Sequence, residues 1–402
     1  MSTNATLDAQ IQPGSSAHSH GYVPGESDIP VQSRAERVRS TNVSDFAAIS
    51  RREEQWKYTT SEQLRGLDED SLSEFIGDFE LKAPEGVTTA WVGADHPAFG
   101  AAGTPEDRPS AAAWGSAEQA YLVTLPANQK LDCEVQLGIV SHDTTASALH
   151  LIVDAKAGSQ GTVIIDHRGD AVLSENLEII VGDNAHLTVV SIQDFNRKSV
   201  HLSAQFAKLG RNANLKHVVV TIGGDVVRVT PNAVFSAPGA SVELLGVYLA
   251  DAVQQQEHRL FVDHAVPNCR SRVTYKGALQ GKNAHTIWVG DVLIRAEAEG
   301  TDTYELNRNL LLTDGARADS VPNLEIETGQ IEGAGHASAS GRFDDEQLFY
   351  LQARGINEEE ARRLVVRGFL NEIIQQIGND EVEARLNRAI ETELTQNLGQ
   401  GN

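Results

Sequence analysis

The turn G-D-N-A-H-L, at Gly182–Leu187, returns 28 residues later as G-R-N-A-N-L at Gly210–Leu215. Related turns follow at Ala237–Val242, Val266–Ser271 and Thr313–Ala318, and Gly281–Thr286 adds an irregular copy. A small residue follows each turn, and the first four are spaced by 28, 27 and 29 residues, at Ala185, Ala213, Ala240 and Cys269, with Ala316 in the Thr313 copy. A period of this size is typical of a strand solenoid, in which each repeat is one supersecondary unit. The small residue is expected because stacked turns leave little room at a corner.

Strand signals fill the chain between these turns. From residue 131 to residue 327, runs rich in Val, Ile, Leu and Thr alternate with Gly, Asn, Asp and Pro, as at Leu187–Ile192 and Val242–Leu249. Many runs are apolar at consecutive positions, as parallel strands in a covered sheet are. The pattern predicts a mainly β protein whose core is a right-handed parallel β-helix. A β-sandwich also has short strands at regular spacing and is the alternative.

Composition divides the chain into four regions. Residues 1–32 are rich in Ser, Gly and Pro and are predicted to form a disordered tail. Residues 33–130 are a helical and mixed region, residues 131–341 the parallel β-helix, and residues 342–402 a C-terminal helical domain. Helices within residues 33–75 are expected to cover the N-terminal end of the solenoid.

Charge and cysteine content restrict the partners of this chain. Its 402 residues carry a formal net charge of -23 and include two cysteines, Cys133 and Cys269. A surface this acidic repels phosphate backbones and anionic lipids, so neither a nucleic acid nor a membrane partner is expected. Two cysteines cannot build a disulfide framework, and the chain does not begin with a basic segment followed by an apolar one, so a cytoplasmic location is expected.

Helical periodicity replaces the strand pattern at Asp344. One helix is predicted over Asp344–Arg354, Asn357 and Glu360 form a capping pair for a second, and a third runs from Asp380. The second helix carries two neighbouring apolar stripes, whose candidate partner-binding residues are Leu364, Val366, Phe369, Leu370, Ile373 and Ile374. One stripe suffices for packing on the protein's own core. The greater width indicates a second buried contact, either with another helix of a three-helix unit or with another protein.

The segment Ser320–Ile377 joins the strands to the helices. It contains L-E-I, then G-A-G-H-A-S-A-S-G, then D-D-E-Q-L-F-Y-L-Q-A-R-G-I. This combination resembles the C-terminal signature of the SufB/SufD family, the paired scaffold subunits of the SUF iron–sulfur cluster assembly machine. The resemblance is good from about His258 to Ile377 and faint in the N-terminal third, where Glu53–Thr59 matches. It implies a scaffold that is not itself an enzyme.

His336 is the candidate metal-binding residue. Its small neighbours would not bury it, so the imidazole is expected to be accessible from a strand edge or groove, where it could bind iron or carry a proton. From the residues alone, an ordinary surface histidine is the alternative. The family signature commonly has a C-x-H-G core at this point, and here Ala334 replaces the cysteine and Ala337 the glycine. The resemblance therefore implies a SufD-type subunit, whose histidine helps form the cluster-assembly site at the junction with a SufB-type subunit.

The resemblance also implies the partners. These are a SufB-like subunit and a SufC-like ATPase gripped through the C-terminal helices, with a nascent iron–sulfur cluster held transiently at the subunit interface and no cofactor bound tightly to the isolated chain. The sequence contains no phosphate-binding glycine loop with a lysine, so ATP hydrolysis must belong to another subunit. Independently of the family, a strand stack whose far end is uncovered would pair with a matching protein.

Two other functions are compatible with a solenoid. The first is a parallel β-helix enzyme that acts on polysaccharide, although aromatic residues, which serve as sugar platforms, make up 5% of the chain. The second is a purely structural paralogue that stabilises its partner without ligands of its own.

Overall fold

The computed structural model describes residues 37–342 and 345–398, without the side chains of residues 345–347 and 395–398. The predicted disordered tail, residues 1–32, lies outside these ranges. Contacts group the chain into two units, Met1–Val38 and Arg39–Asn402. Within the described ranges, every helix and strand belongs to the second unit. The N-terminal helices, the strands and the C-terminal helices are therefore grouped together.

Seventeen strands and five α-helices make up the described part of the chain. The strands are β1 (Ser73–Glu74), β2 (Gly77–Lys82), β3 (Thr88–Val92), β4 (Ala120–Leu125), β5 (Val135–Ala155), β6 (Gln160–Val181), β7 (His186–Phe195), β8 (Val200–Leu209), β9 (Asn214–Thr221), β10 (Val226–Phe235), β11 (Ser241–Ala250), β12 (Gln255–His264), β13 (Arg270–Leu279), β14 (His285–Ile294), β15 (Asp302–Leu311), β16 (Arg317–Ile326) and β17 (Gly333–Arg342). The helices are α1 (Ser61–Leu64), α2 (Arg108–Ser116), α3 (Asp345–Ala353), α4 (Glu358–Ile374) and α5 (Asp380–Leu398), and 3-10 helices lie at Val43–Asp45 and Glu54–Trp56.

From β5 onwards the strands stack as a parallel solenoid with two strands in each coil. β11, for example, pairs in parallel with β9 and β13 rather than with its neighbours in sequence. β6 is long enough to serve both sides of its coil, because its first half pairs with β7 and its second half with β8. We call the sheet that ends in β17 the first face and the sheet that ends in β16 the second face. This pairing confirms the parallel β-helix and excludes the β-sandwich.

The predicted turns line one edge of the solenoid, where the chain passes from the second face to the first. Their small residues are at most 1% exposed, at Ala185, Ala213, Ala240 and Cys269. The residues just before them have left-handed φ angles between 53° and 82°, at Asn184, Asn212, Gly239 and Asn268. Glycine and asparagine adopt this conformation more readily than other residues. The repeat in the sequence is therefore a repeat of backbone conformation followed by a crowded corner.

Two copies of the turn lie at the opposite edge, contrary to the single series that the sequence indicated. Gly281–Thr286 joins β13 to β14, and Thr313–Ala318 joins β15 to β16. The series continues instead at Gly300, which has a φ of 71° and precedes the buried Thr301. The coils also lengthen, because Arg270 faces Asp302, which in turn faces Gly333, at spacings of 32 and 31 residues.

The interior of the solenoid is apolar along one edge and polar along the other. Ile165 and Leu209 belong to the main apolar core. His167, Gln193 and Gln205 face the same interior near the opposite edge and are at most 1% exposed. Because buried polar groups need hydrogen-bond partners or ligands, the polar edge is where the interior could hold one.

Strands cover the N-terminal end of the solenoid, which corrects the expectation that helices would do so. β2 pairs antiparallel with the first part of β5, and β1 and β4 pair in parallel with its second part. An aromatic cluster with ring centroids 5.1 to 5.9 Å apart completes this end and consists of Phe75, Phe79, Trp91 and Tyr121. The reason is chemical, since strands satisfy the backbone groups of an open sheet edge and helices do not. The helical segment packs instead on the second face, where Trp56 and Leu64 contact Val200.

The C-terminal helices α4 and α5 form a layer on the outer side of the first face. Apolar side chains from both helices join one core with residues of the sheet, among them Leu370, Leu386, Val190, Val220 and Val247. Asp166 of the sheet accepts two hydrogen bonds from the guanidinium of Arg385 in α5, one of them 2.7 Å long. The predicted cap is present, because Asn357 Oδ1 accepts from the Glu360 amide at 2.9 Å. None of the described helices combines the length and the apolar character that crossing a membrane requires.

Candidate functional site

β17 is the last strand of the first face and has one unpaired edge. It pairs with β15 along its whole length, and no other strand of residues 37–342 or 345–398 pairs with it. The Gly333 amide donates to Thr301 O at 3.2 Å. Amides alternate in direction along a strand, so those of Ala334, His336 and Ser338 point away from β15. An edge with such unpaired groups is a template for another strand.

His336 lies on this terminal strand and its side chain is exposed. Ala334 packs against the interior core, and Ser340 Oγ accepts from Asn309 Nδ2 at 3.2 Å inside the solenoid. Because alternate residues of a strand share a face, His336 projects towards the same interior. It is exposed although it faces inwards, since no further coil covers it. The position of the family cysteine, Ala334, lies two residues away on the same face.

Glu305 of β15 stands in register with His336 and was not among the predicted site residues. Its side chain is fully buried, and neither carboxyl oxygen has a hydrogen-bond partner within the described residues. Burial, together with the charge of Asp291, raises the pKa of Glu305 to about 8. The carboxyl is therefore protonated at neutral pH. A Cβ atom at Gly290 would lie 2.7 Å from Glu305 Oε1, so this glycine makes room for the carboxyl.

A separate polar network lies along the same strand, beyond Glu305, in the last coil. Asn309 Nδ2 donates to Asn307 Oδ1 at 2.8 Å and to Ser320 Oγ at 3.1 Å. Tyr248 of an earlier coil donates to Asn309 Oδ1 at 2.6 Å. These groups hydrogen-bond to one another, whereas the Glu305 carboxyl has no such partner among the described residues. An exposed imidazole next to a protonated carboxyl can bind a metal ion or exchange a proton.

The six candidate partner-binding residues of α4 have two different environments. Val366, Leu370, Ile373 and Ile374 are fully buried in the core that α4 shares with the first face. Leu364 and Phe369 are partly exposed. The four buried residues are therefore not accessible at the surface of this structure. Among the side chains of the C-terminal helices that the structure describes, the large apolar ones that are exposed are Phe349 and Tyr350 of α3, at 72% and 57%.

His258, His264 and Cys269 lie close together in the sequence and are possible metal ligands by residue type, but they do not form a site. His258 and His264 do share the interior face, but His258 Nε2 contacts Thr221 Oγ1 at 2.9 Å and His264 Nε2 contacts Ser271 Oγ at 2.9 Å. Cys269 is buried in its turn, and this burial raises the pKa of its thiol. These contacts within the core explain the positions of the three side chains without a metal ion.

Comparison with known proteins identifies the family. The family described as "SUF system FeS cluster assembly, SufBD core domain" matches residues 139–369, a range that begins in β5 and ends in α4. The iron–sulfur cluster assembly SufBD family protein Rv1462 of Mycobacterium tuberculosis is 50% identical over 370 residues, covering 90% of this chain and 93% of that protein. The corresponding protein ML0594 of Mycobacterium leprae is 48% identical over 377 residues, covering 92% and 96%.

A more distant relative shows the same relationship. The SufBD family protein SAUSA300_0822 of Staphylococcus aureus is 26% identical over 296 residues, which is 72% of this chain and 62% of that protein. The chain belongs to the SufBD family of iron–sulfur cluster assembly proteins.

Proposed function

We propose that this chain is the SufD-type scaffold subunit of a SUF cluster-assembly complex. The observation that carries the proposal is the position of His336, an exposed imidazole on a terminal strand whose outer edge is unpaired. Ala334 stands where the family signature commonly has a cysteine, so a thiolate ligand must come from another subunit. A SufB-type subunit that supplies it would be the partner of this edge. Cys133 and Cys269 are both free thiols, which is compatible with a cytoplasmic complex.

Pairing of two solenoids end to end gives the edge its function. The amides of Ala334, His336 and Ser338 face away from β15 and are free to bond a strand of the partner. Such a junction would bury two edges and enclose His336 together with the partner's ligands. The nascent cluster is the cargo of this site, held transiently between the subunits.

Glu305 places a protonated carboxyl beneath the site. Its carboxyl is protonated at neutral pH, and it stands one strand away from His336, a spacing of about 4.8 Å between backbones. Sulfide and thiolate ligands must lose protons when they bind iron. A free ring nitrogen of His336 can accept such a proton and release it to solvent, while the protonated carboxyl of Glu305 adds no negative charge next to the cluster.

The ATPase subunit would dock on the C-terminal helices, with α3 as the principal contact. The buried stripe of α4 is occupied by the first face. Phe349 and Tyr350 form an exposed aromatic pair on α3, and aromatic anchors are enriched at protein interfaces.

A pull-down with a SufB-type subunit tests the edge. Proline at Ser338 removes an amide that faces away from β15, and edge strands tolerate proline at such positions. We expect Ser338→Pro to reduce capture of the SufB-type subunit at least about tenfold, a loss typical of an interface hot spot. Ser338→Ala keeps the amide and serves as the matched control. Equal capture by both variants and the wild type would rule out pairing through this edge.

The structural paralogue without ligands remains the second candidate, since its edge would pair in the same way. It differs in predicting that His336→Ala leaves cluster formation unchanged.

A further inference from the structure

Three side chains inside the solenoid lie close together far from the open end. His167 and Glu175 come from β6 and His201 from β8, and all three are fully buried. His167 Nε2 lies 2.6 Å from Glu175 Oε2, and His201 Nε2 lies 4.0 Å from the same oxygen. One potential ligand atom from each residue falls within 4.8 Å of the other two. These three residues lie six strand spacings from β17, which is about 29 Å along the axis of the solenoid.

Contacts around the cluster orient its ligand atoms. Ile192 O can only accept, so the hydrogen bond of 3.0 Å with His167 Nδ1 places the ring proton on Nδ1 and leaves Nε2 directed at Glu175. Ser203 Oγ donates to Glu175 Oε1 at 2.9 Å, which leaves Oε2 turned to the two imidazoles. A backbone carbonyl behind a histidine and a hydroxyl behind a carboxylate are the outer contacts that metal ligands have.

His201 is the residue that an ion pair does not explain. An interaction between His167 and Glu175 accounts for those two side chains. Neither ring nitrogen of His201, however, has a hydrogen-bond partner in the part of the chain that the structure describes. The buried His258 and His264 differ from His201, because each has one hydrogen-bonded ring nitrogen. Buried polar atoms are rarely left without a partner, and a metal ion is one partner that would satisfy an imidazole beside a carboxylate.

We propose that His167, Glu175 and His201 bind one divalent first-row transition-metal ion, Zn²⁺ or Fe²⁺, inside the solenoid. Two imidazoles and one carboxylate are a donor set that both ions use in proteins. Because the site is enclosed, the ion is taken up as the coils close and holds β6 to β8 in the folded protein. This site is separate from the transient cluster at His336, and it departs from the expectation that the isolated chain binds no cofactor tightly.

Metal analysis of the refolded full-length chain tests the site. The protein is unfolded in urea with a chelator, refolded with Zn²⁺, or with Fe²⁺ under anaerobic conditions, and desalted before the metal content is measured. We expect about one ion per wild-type chain and a higher thermal midpoint than in protein refolded without metal. Refolding with Co²⁺ should give the visible absorption bands of a coordinated ion.

Matched variants locate the ion. His201→Asn and Glu175→Gln should each lose at least about tenfold in metal content and lose the thermal shift. His217→Asn is the control, because His217 is also a fully buried histidine of the solenoid interior but lies outside the cluster. An ion bound elsewhere, for example at His18 and His20, would persist in all variants. A wild-type chain that retains less than about a tenth of an ion, or His201→Asn that retains as much as wild type, overturns the proposal even if one variant fails to fold.

Discussion

Glu305 on β15 and His336 on β17 stand in register at the open end of the solenoid, one fully buried and the other exposed. The two residues lie on neighbouring strands but in different environments. Glu305 is enclosed by the coil above it and keeps its proton, whereas His336 has no coil above it and meets solvent. The end of the solenoid therefore carries a neutral acid under an accessible base, and each can be tested alone.

Replacing Glu305 by glutamine should change how stability depends on pH. The pKa of Glu305 is about 8 in the folded protein, raised by burial and by Asp291 from an ordinary value of 4.5. Between these values the unfolded chain releases the proton and the folded chain keeps it. The stabilisation is therefore complete below about pH 4.5 and is lost as the pH rises through 8, by up to about 5 kcal/mol.

Glutamine has no such proton to lose, so Glu305→Gln should nearly match wild type at pH 5 and exceed it at pH 8. Urea denaturation at the two pH values measures the difference. Glu297→Gln, an exposed position, is the control and should leave the pH dependence unchanged. Parallel pH profiles for wild type and Glu305→Gln would show that the carboxyl is not held protonated.

Removing the imidazole of His336 should stop cluster formation without unfolding the chain. His336 is exposed, so His336→Ala leaves no cavity. On a complex reconstituted with the proposed SufB-type and SufC-type partners, we expect cluster formation, followed by visible absorption, to fall at least about tenfold. His142→Ala is the matched control, because His142 is exposed and its strand β5 lies at the other end of the solenoid. Unchanged cluster formation would favour the structural paralogue without ligands.

The turns made the solenoid predictable, but they did not show which edge each turn occupies. Asn or Gly followed by a small residue marks a crowded corner wherever stacked strands turn. Both edges use this chemistry, as Gly182–Leu187 and Thr313–Ala318 show. Assigning a turn to an edge requires the pairing of the strands around it, and this pairing is a long-range property that a local motif does not contain.

The sequence indicated that His336 is accessible, and it is exposed. The structure gives a different reason, because His336 faces the interior from the last strand of the first face and no further coil covers it. Glu305 escaped notice because T-Y-E-L-N shows an alternating strand without showing which face is inside. The apolar stripe of α4 had a similar limit, since periodicity reveals the width of an apolar surface but not that the first face covers Leu370. His201 is a further case, because its two companions lie on a different strand.

Substitutions on α3 and α4 should separate partner binding from stability. Phe349 is 72% exposed, so Phe349→Ala should leave the unfolding midpoint unchanged and weaken capture of the ATPase subunit about tenfold. Leu370 is fully buried between α4 and the first face, so Leu370→Ala should cost about 2–5 kcal/mol in urea denaturation. If Phe349→Ala captured the ATPase subunit as well as wild type does, α3 would not be the docking element.

Gly239 and Asn212 provide a test of how the turns are stacked. Gly239 has a φ of 82°, and a Cβ atom there would lie 2.3 Å from Asn212 Oδ1 in the preceding coil. Gly239→Ala should therefore destabilise the protein twice over, by about 1–2 kcal/mol for the left-handed backbone and by a further amount for the collision. Asn212→Gly removes the colliding oxygen and still suits the left-handed φ of 53° at that position.

The double variant separates the two costs. In the Asn212→Gly background, Gly239→Ala should cost only the backbone part, so the two substitutions should couple by about 0.5–3 kcal/mol in a urea double-mutant cycle. Gly341→Ala is the control, because nothing lies within 4 Å of its Cβ position and its φ is not left-handed. Additive costs would mean that neighbouring turns do not touch through this pair. Coupling would show that the glycine in one coil is required because of the asparagine in the coil before it. The repeated turn residues in the sequence would then be a direct consequence of how the coils stack.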